Sequence, residues 1–434
     1  MNEPVFTNDL VAFGILAGVL GLIFYTSSSE NKFWKKFYSV VPALLLAYML
    51  PAILTSLNII AEKWTSIENG QEVVHHSSLY YVASRLLLPA SLILFTLSID
   101  LGAIARLGWR ALVMFFTGTI GIIIGGPIAL AITGYFFPDL ISATGHDATW
   151  RGLATLAGSW IGGGANQAAM LEIFEYNQNL YGGMVLVDIV VANIWMALLL
   201  FGINYNDKIN KWLKADTSAI EELKRKVIEF TKKTQRIPSL RDYMIILGIA
   251  FFTVAMSYEG ATWIAEGLKS NFPLIADKSS KLSSLGSHFF WLISLATAAG
   301  IIYSFTPIKN LEGAGASKIG SVFIYFLVAT IGMKIDLNKI FDQPELILTG
   351  LVWMSIHALL LIIVAKWIRA PYFFLAVGSQ ANVGGAASAP IVASAFHPAL
   401  TSVGALLAIL GYVVGTYGAW FSAILMSWIT EILR

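Results

Sequence analysis

The chain has 434 residues, 57% hydrophobic and only 12% charged, with a mean hydropathy of +0.71. Soluble domains carry about 25% charged residues, so this composition excludes a soluble globular domain and defines a polytopic membrane protein. A formal net charge of +2, with the basic residues in loops, gives no ground for a nucleic-acid partner, and the absence of cysteine excludes disulfides and thiolate metal sites.

The N-terminus, Met1-Asn2-Glu3-Pro4, lacks a basic stretch, so the first apolar segment reads as a retained membrane helix and not a cleaved signal. A span needs roughly 20 predominantly apolar residues. Apolar segments fall near 9–26, 40–61, 79–98, 110–135, 153–175, 181–203, 241–258, 288–305, 319–335, 345–368, 372–396 and 400–430. They divide into a first membrane repeat (1–203), a basic linker (204–241) and a second membrane repeat (242–434). The linker holds ten Lys or Arg residues, and Thr217 to Lys233 has the charge spacing of a solvated helix.

The halves resemble each other. Phe95-Thr-Leu-Ser-Ile-Asp-Leu101 matches Ile331-Gly-Met-Lys-Ile-Asp-Leu337, and each is followed by a long apolar helix, a glycine-rich segment and a further helix. If the glycine-rich segments cross the membrane, the repeats are parallel; if they are re-entrant, the repeats are inverted. Counting basic residues favours, by a small margin, re-entrant segments with the linker inside. Pro138–Trp150 and Trp64–Ser78, both poor in Lys and Arg, then lie outside. The expected fold is all-α, with two inverted repeats, about ten transmembrane helices and two glycine-rich re-entrant or broken segments.

Those segments are Gly158-Ser-Trp-Ile-Gly-Gly-Gly-Ala-Asn-Gln167 and Gly378-Ser-Gln-Ala-Asn-Val-Gly-Gly-Ala-Ala-Ser388. Backbone that leaves helical geometry at membrane depth is tolerated only where protein buries it or where it lines a solute cavity. Glycine turns such a break sharply because it reaches positive φ without a Cβ clash, and Gly163 and Gly384 are the expected positions of that kind. Asn166 and Gln167 fall in the first turn of the returning helix, and Ser159 just before the break. Ser159, Gly163, Gly164, Asn166 and Gln167 are the candidate solute contacts of the first segment. Ser379, Gln380, Asn382, Gly384, Gly385 and Ser388 are those of the second, with Pro390 restarting a helix. Freed carbonyls suit a cation and exposed helix N-termini an anion, the arrangement of ion-coupled uptake. Tight helix packing through small residues is the plainer reading of the same glycines.

Asp188, in Val185-Leu-Val-Asp-Ile-Val-Val-Ala-Asn193, is a carboxylate inside an apolar helix. It either carries the coupling ion, with Asn193 and Thr416, or caps the hairpin or pairs with Arg85. A Na⁺ site is expected near Asn166, Asn382 and Asp188. Arg85 reads as a snorkelling residue near a helix start, His357 as a packing histidine, and Glu172 and Glu175 as solvated boundary residues. Asp100 and Asp336 end equivalent helices and suit capping or turn roles. No Ser-His-Asp, paired-carboxylate or His-cluster arrangement stands out, so no enzyme is expected.

At these motifs, and at Leu311-Glu-Gly-Ala-Gly-Ala-Ser-Lys-Ile-Gly320, the chain resembles the YjcL-like family of multipass bacterial membrane proteins (domain of unknown function 819) over nearly its whole length. More distantly, its layout is similar to bile-acid, citrate and glutamate sodium symporters built on inverted five-helix repeats. That resemblance implies a core domain bearing the broken segments that moves against a scaffold domain, with a homodimer through the scaffold. Gly-Gly-Gly-Ala-Asn and Val-Gly-Gly-Ala-Ala depart from the citrate-type pattern. The expected function is secondary active transport of a small anionic or zwitterionic organic solute with Na⁺ or H⁺ and no other cofactor. The expected location is the cell membrane, with the linker cytoplasmic. A cation/proton antiporter using Asp188 is the alternative, and a membrane-embedded enzyme or sensor a more remote one.

Overall fold

The computed structural model describes residues 4–434 apart from 39–40, 69–70, 99–103, 105–106, 217–237, 278–279, 281, 340–342 and 398–399. The helix expected at Thr217 to Lys233 and the turn expected at Asp100 fall on positions outside the described residues. In the first half, α1 (Asp9–Ser27), α2 (Lys32–Tyr38), α3 (Ala43–Ser56) and α4 (Leu79–Leu97) precede α5 (Trp109–Phe136), α6 (Thr149–Ile173) and α7 (Tyr181–Ile203). A short α8 (Asn206–Leu213) opens the linker. The second half holds α9 (Leu240–Asn271), α10 (His288–Ser304), α11 (Ala316–Gly332), α12 (Glu345–Trp367), α13 (Tyr372–Val383), α14 (Gly385–Phe396) and α15 (Thr401–Leu433). Seven described helices are long and apolar enough to cross a membrane by themselves.

Local chemistry sets several boundaries. The Asn8 side chain accepts from the first free N–H groups of α1, and Ser239 with Asp242 forms a capping box on α9. One full π turn, Ala83–Leu87, lies inside α4 and carries Arg85. Asp336 accepts from the Asn338 N–H at 3.0 Å, the turn role its sequence position suggests. The polar stretch expected outside, Trp64–Ser78, forms most of an antiparallel β-hairpin, Lys63–Glu68 with Gln71–His76. Val73 and Val74 favour extended backbone there, and the sequence between the strands, Asn69-Gly70, is the dipeptide that marks a two-residue hairpin turn, a signal that apolar patterning does not carry.

The fourth helices of the two halves, α5 and α12, are antiparallel. Arg110 bonds the Ile368 carbonyl, His357 the Gly118 carbonyl, Trp353 the Ile122 carbonyl, and Thr349 the Thr133 hydroxyl. Position rises along one helix as it falls along the other, so the repeats are inverted. Gly125 and Gly126 allow this closeness, since a Cβ on either would run into the Trp353 ring.

The first three spans of each half pack together as a scaffold. Gly320 of α11 rests on the Ser91 carbonyl of α4, Gly332 on the Tyr48 carbonyl of α3, and Gly300 of α10 on Thr96. The remaining elements, α5–α7 and α12–α15, form the core. Lipid supplies no hydrophobic drive between helices, so such backbone-to-backbone approaches and the dispersion they allow hold the bundle. Core and scaffold meet through aromatic contacts: Phe95 stacks on Tyr412 with centroids 4.3 Å apart, Tyr48 faces Tyr181, and Phe290 faces Trp420.

Candidate functional site

The two glycine-rich segments are hairpins. In α6 the backbone breaks at Gly163 (φ 75°), and the limbs 149–162 and 164–173 fold against each other. A Cβ on Gly158 would lie 2.6 Å from the Asn166 carbonyl oxygen, a proximity that a straight helix forbids. The base closes on one face: Trp150 packs on Phe174 and the Asn177 N–H donates to the His146 carbonyl at 2.9 Å. The second hairpin comprises α13 and α14, turning at Gly384 and Gly385 (φ 55°). Its base also closes on itself, with Tyr372 and Phe373 both against Phe396. Segments 153–175 and 372–396 are therefore re-entrant.

They enter from opposite faces. Gly378 lies beside Met114 and Asn382 beside Thr119, so hairpin 2 rises along α5 from its N-terminal end. Hairpin 1 descends from the other end, with Ile161 close to Gly418 of α15 and the Ser422 hydroxyl of that helix bonded to Ile123 of α5. The tips touch: a Cβ on Gly385 would lie 3.8 Å from the Gly163 Cα. Helix α15 lies along both hairpins. Gly404 meets the Ala389 carbonyl, Gly411 both the Ile161 and Ala381 carbonyls, and Gly415 Gly162.

Gly163 has the positive φ expected of it. In hairpin 2 that role passes from Gly384 (φ −115°) to Gly385. Gly384 is needed for space instead, because a Cβ there would overlap the Ser388 hydroxyl.

The polar side chains of the motifs mostly serve the hairpins. Asn166 donates to the Gly162 carbonyl (2.9 Å) and accepts from Thr416 (2.6 Å). Asn382 donates to Gly378 and Phe115 carbonyls (both 2.9 Å) and accepts from Thr119 (2.8 Å). Thr416 thus ties hairpin 1 to α15, and Thr119 ties hairpin 2 to α5. Ser379 stands between Trp195 and His357, each 2.8 Å away. His357 donates from Nδ1 to the Gly118 carbonyl, so its Nε2 accepts from Ser379. It is a buried histidine with both nitrogens engaged.

Asp188 is buried and accepts three hydrogen bonds from hairpin 1: Ser159 Oγ at 2.7 Å, Trp160 Nε1 at 2.7 Å and Gln167 Nε2 at 3.1 Å. One carboxylate thereby fastens both limbs to α7. Of its alternative roles, the pairing with Arg85 does not occur. Asn193, grouped with it from sequence, is exposed and donates to its own helix at Ile189, because five residues turn it onto another face. Asn166, Asn382 and Asp188 each spend their polar atoms on separate partners and do not converge on one centre.

Arg85 does not snorkel and Glu172 is not solvated. They form an ion pair with side chains 30% and 9% exposed; Tyr80 also bonds Glu172, and the guanidinium sits 4.5 Å from the Phe289 ring centroid. Glu175 is exposed, as expected. The groups left open at the tips are the half-buried Gly163, Gly164 and Gly384, the exposed Ala386 and the half-buried Ser388. Beside them Gln380 donates to Ser388 at 2.7 Å while its buried Oε1 has no partner. Tyr412 of α15 also faces the tip, its ring beside Gly163; no local pattern in the sequence brings it there.

Fold and site together define a polytopic membrane protein of inverted repeats with paired re-entrant hairpins. The chain belongs to the family described as protein of unknown function (DUF819), whose model matches residues 14–429. It is 28% identical over 375 residues to the uncharacterized membrane protein YjcL of Bacillus subtilis (strain 168), an alignment covering 80% of this chain and 85% of that protein.

Proposed function

We propose that this protein is a secondary active transporter of a small organic solute, anionic or zwitterionic, coupled to Na⁺ or H⁺ by alternating access. The observation that carries this reading is the meeting of two re-entrant tips from opposite faces, with Gly385 against Gly163. Irregular backbone is costly at membrane depth unless protein buries it or it lines a solute path; here the tips are only half-buried, and paired broken segments in corresponding halves mark binding sites in transporters. The half-buried tip backbone, Ser388 and the unpartnered Gln380 Oε1 supply the donors and acceptors for solute and ion.

In this reading the core slides or rocks against the scaffold, the linker faces the cytoplasm, and the chain resides in the cell membrane without enzymatic activity. Asp188 holds hairpin 1 in shape, which argues against the antiporter in which it would shuttle protons. The test is uptake of radiolabelled amino acids and carboxylates by proteoliposomes under imposed Na⁺, pH and voltage gradients. Gradient-dependent accumulation is expected. Cation/proton exchange with no organic solute moved would replace this reading with the antiporter.

A further inference from the structure

The two faces of the molecule are closed to different degrees. In hairpin 2, which enters from the linker face, the returning limb α14 leaves Ala386 at the tip and Ile391 and Ala395 nearer the base exposed. On the opposite face the returning limb of hairpin 1 is buried throughout except for the half-buried Gly164 and Glu172. That limb ends at the Arg85–Glu172 pair, in which Arg85 belongs to scaffold helix α4 and Glu172 to the core. Above the pair lies a cavity of about 490 Å³, with Glu62, Lys63, His76 and Lys334 on the scaffold wall and Glu172 and Tyr176 on the core wall.

The charges of that cavity are mostly tied within one wall. Lys334 pairs with Glu62 at 3.4 Å, with its ammonium 4.2 Å from the Tyr80 ring centroid, and the His76 ring lies 3.8 Å from Glu62. On the core side the His146 ring lies 3.8 Å from Glu175. The Arg85–Glu172 pair differs because it crosses from scaffold to core, and Tyr80 on α4 reinforces the same crossing. Any displacement of hairpin 1 from the scaffold must break both contacts at once. Each half of a partly buried ion pair loses its partner when that happens.

The geometry points to a gate: the Arg85–Glu172 pair closes the solute path on the face opposite the linker, and the cavity above it is the vestibule where a small polar or charged solute first lodges. This rests on the transport reading. The pair holds the closed state of that face, while the returning limb of hairpin 2 is the less covered of the two. A solute admitted from the vestibule reaches the tips only when Glu172 leaves Arg85.

The chain has no cysteine, so a single engineered one reports on access. Gly164→Cys suits this, because a Cβ there meets nothing nearer than Ile324 at 3.9 Å. A membrane-impermeant thiosulfonate is applied from the face opposite the linker, with Val74→Cys on the exposed β-hairpin as the accessible control. Labelling of Gly164→Cys should be slow in the otherwise native chain. Glu172→Gln or Arg85→Gln should speed it roughly tenfold or more, the population shift expected from losing one charged hydrogen-bonded contact. The exchanged pair, Arg85→Glu with Glu172→Arg, should restore the slow rate. Equal rates in native and single-variant chains would overturn the gate, and so would rapid labelling in a folded exchanged pair should the single variants fail to fold. Labelling needs neither solute nor gradient: a responsive reporter in a protein that takes up no solute keeps the gate and sinks only the transport reading.

Discussion

Hairpin 1 and hairpin 2 turn on glycines of positive φ, yet the protein holds them differently. Hairpin 1 is fastened by a charge: Asp188 receives donors from both its limbs, and Arg85 pins its end to the scaffold. Hairpin 2 is held by neutral groups, through Ser379, His357 and Trp195 on one side and Asn382 with Thr119 on the other. A neutral bond costs less to break than a charged one in the same surroundings. Hairpin 1 is therefore the more firmly fastened of the two, and hairpin 2, where Ala386, Ile391 and Ala395 of α14 are exposed, the less.

The largest expected effect tests that contrast. Asp188→Asn removes the acceptor shared by Ser159, Trp160 and Gln167, and an amide can accept at only one of its two atoms. About 2–4 kcal/mol should be lost, seen as a fall in thermal stability and in folded yield from detergent. His357→Gln on α12, which holds hairpin 2 through Ser379, should cost less. A milder loss for Asp188→Asn than for His357→Gln would remove the distinction between charged and neutral fastening.

Next come the turns themselves. Gly163→Ala and Gly385→Ala place a Cβ at positive φ and should each cost about 1–2 kcal/mol, whereas Gly164→Ala, at ordinary φ with open space around it, should be close to neutral. Thermal melts of the three variants check this; equal melting temperatures would mean the turns are not strained. Smaller again, Thr416→Val and Thr119→Val each remove one hydroxyl from an asparagine amide, at about 1 kcal/mol apiece. The two threonines act on different hairpins, so their effects should add in the double variant. The smallest stability effect belongs to Gln380→Met, because the lost Nε2 bond to Ser388 is offset in part by removing a buried Oε1 that has no protein partner; in that variant solute affinity should fall by more than the melting temperature accounts for, measured by uptake against concentration.

Much of the architecture was legible because membrane burial constrains sequence severely. Apolar runs, the basic linker, the repeat of Ile-Asp-Leu before each glycine segment and the breaks themselves all follow from what lipid permits. Gly163 could be read as a turn because only glycine takes that φ cheaply. Gly384 and Gly385 could not be told apart, since either supplies the missing Cβ and only the packing of Ser388 separates their roles.

Composition by itself determined that this chain crosses a membrane, and the order of its motifs that it does so in two related halves with a break in each. Tertiary structure decided that the breaks turn back, and which side chains serve the turns and which remain open. Re-entrant and crossing segments share one hydropathy, so only the closure of both hairpin bases distinguished them. The partners of Asp188 lie 21 to 29 residues away and those of Glu172 at 87 and 92. Hydrogen bonds at such separations depend on where helices meet, and that is set by small-residue contacts between distant helices, which no local pattern encodes.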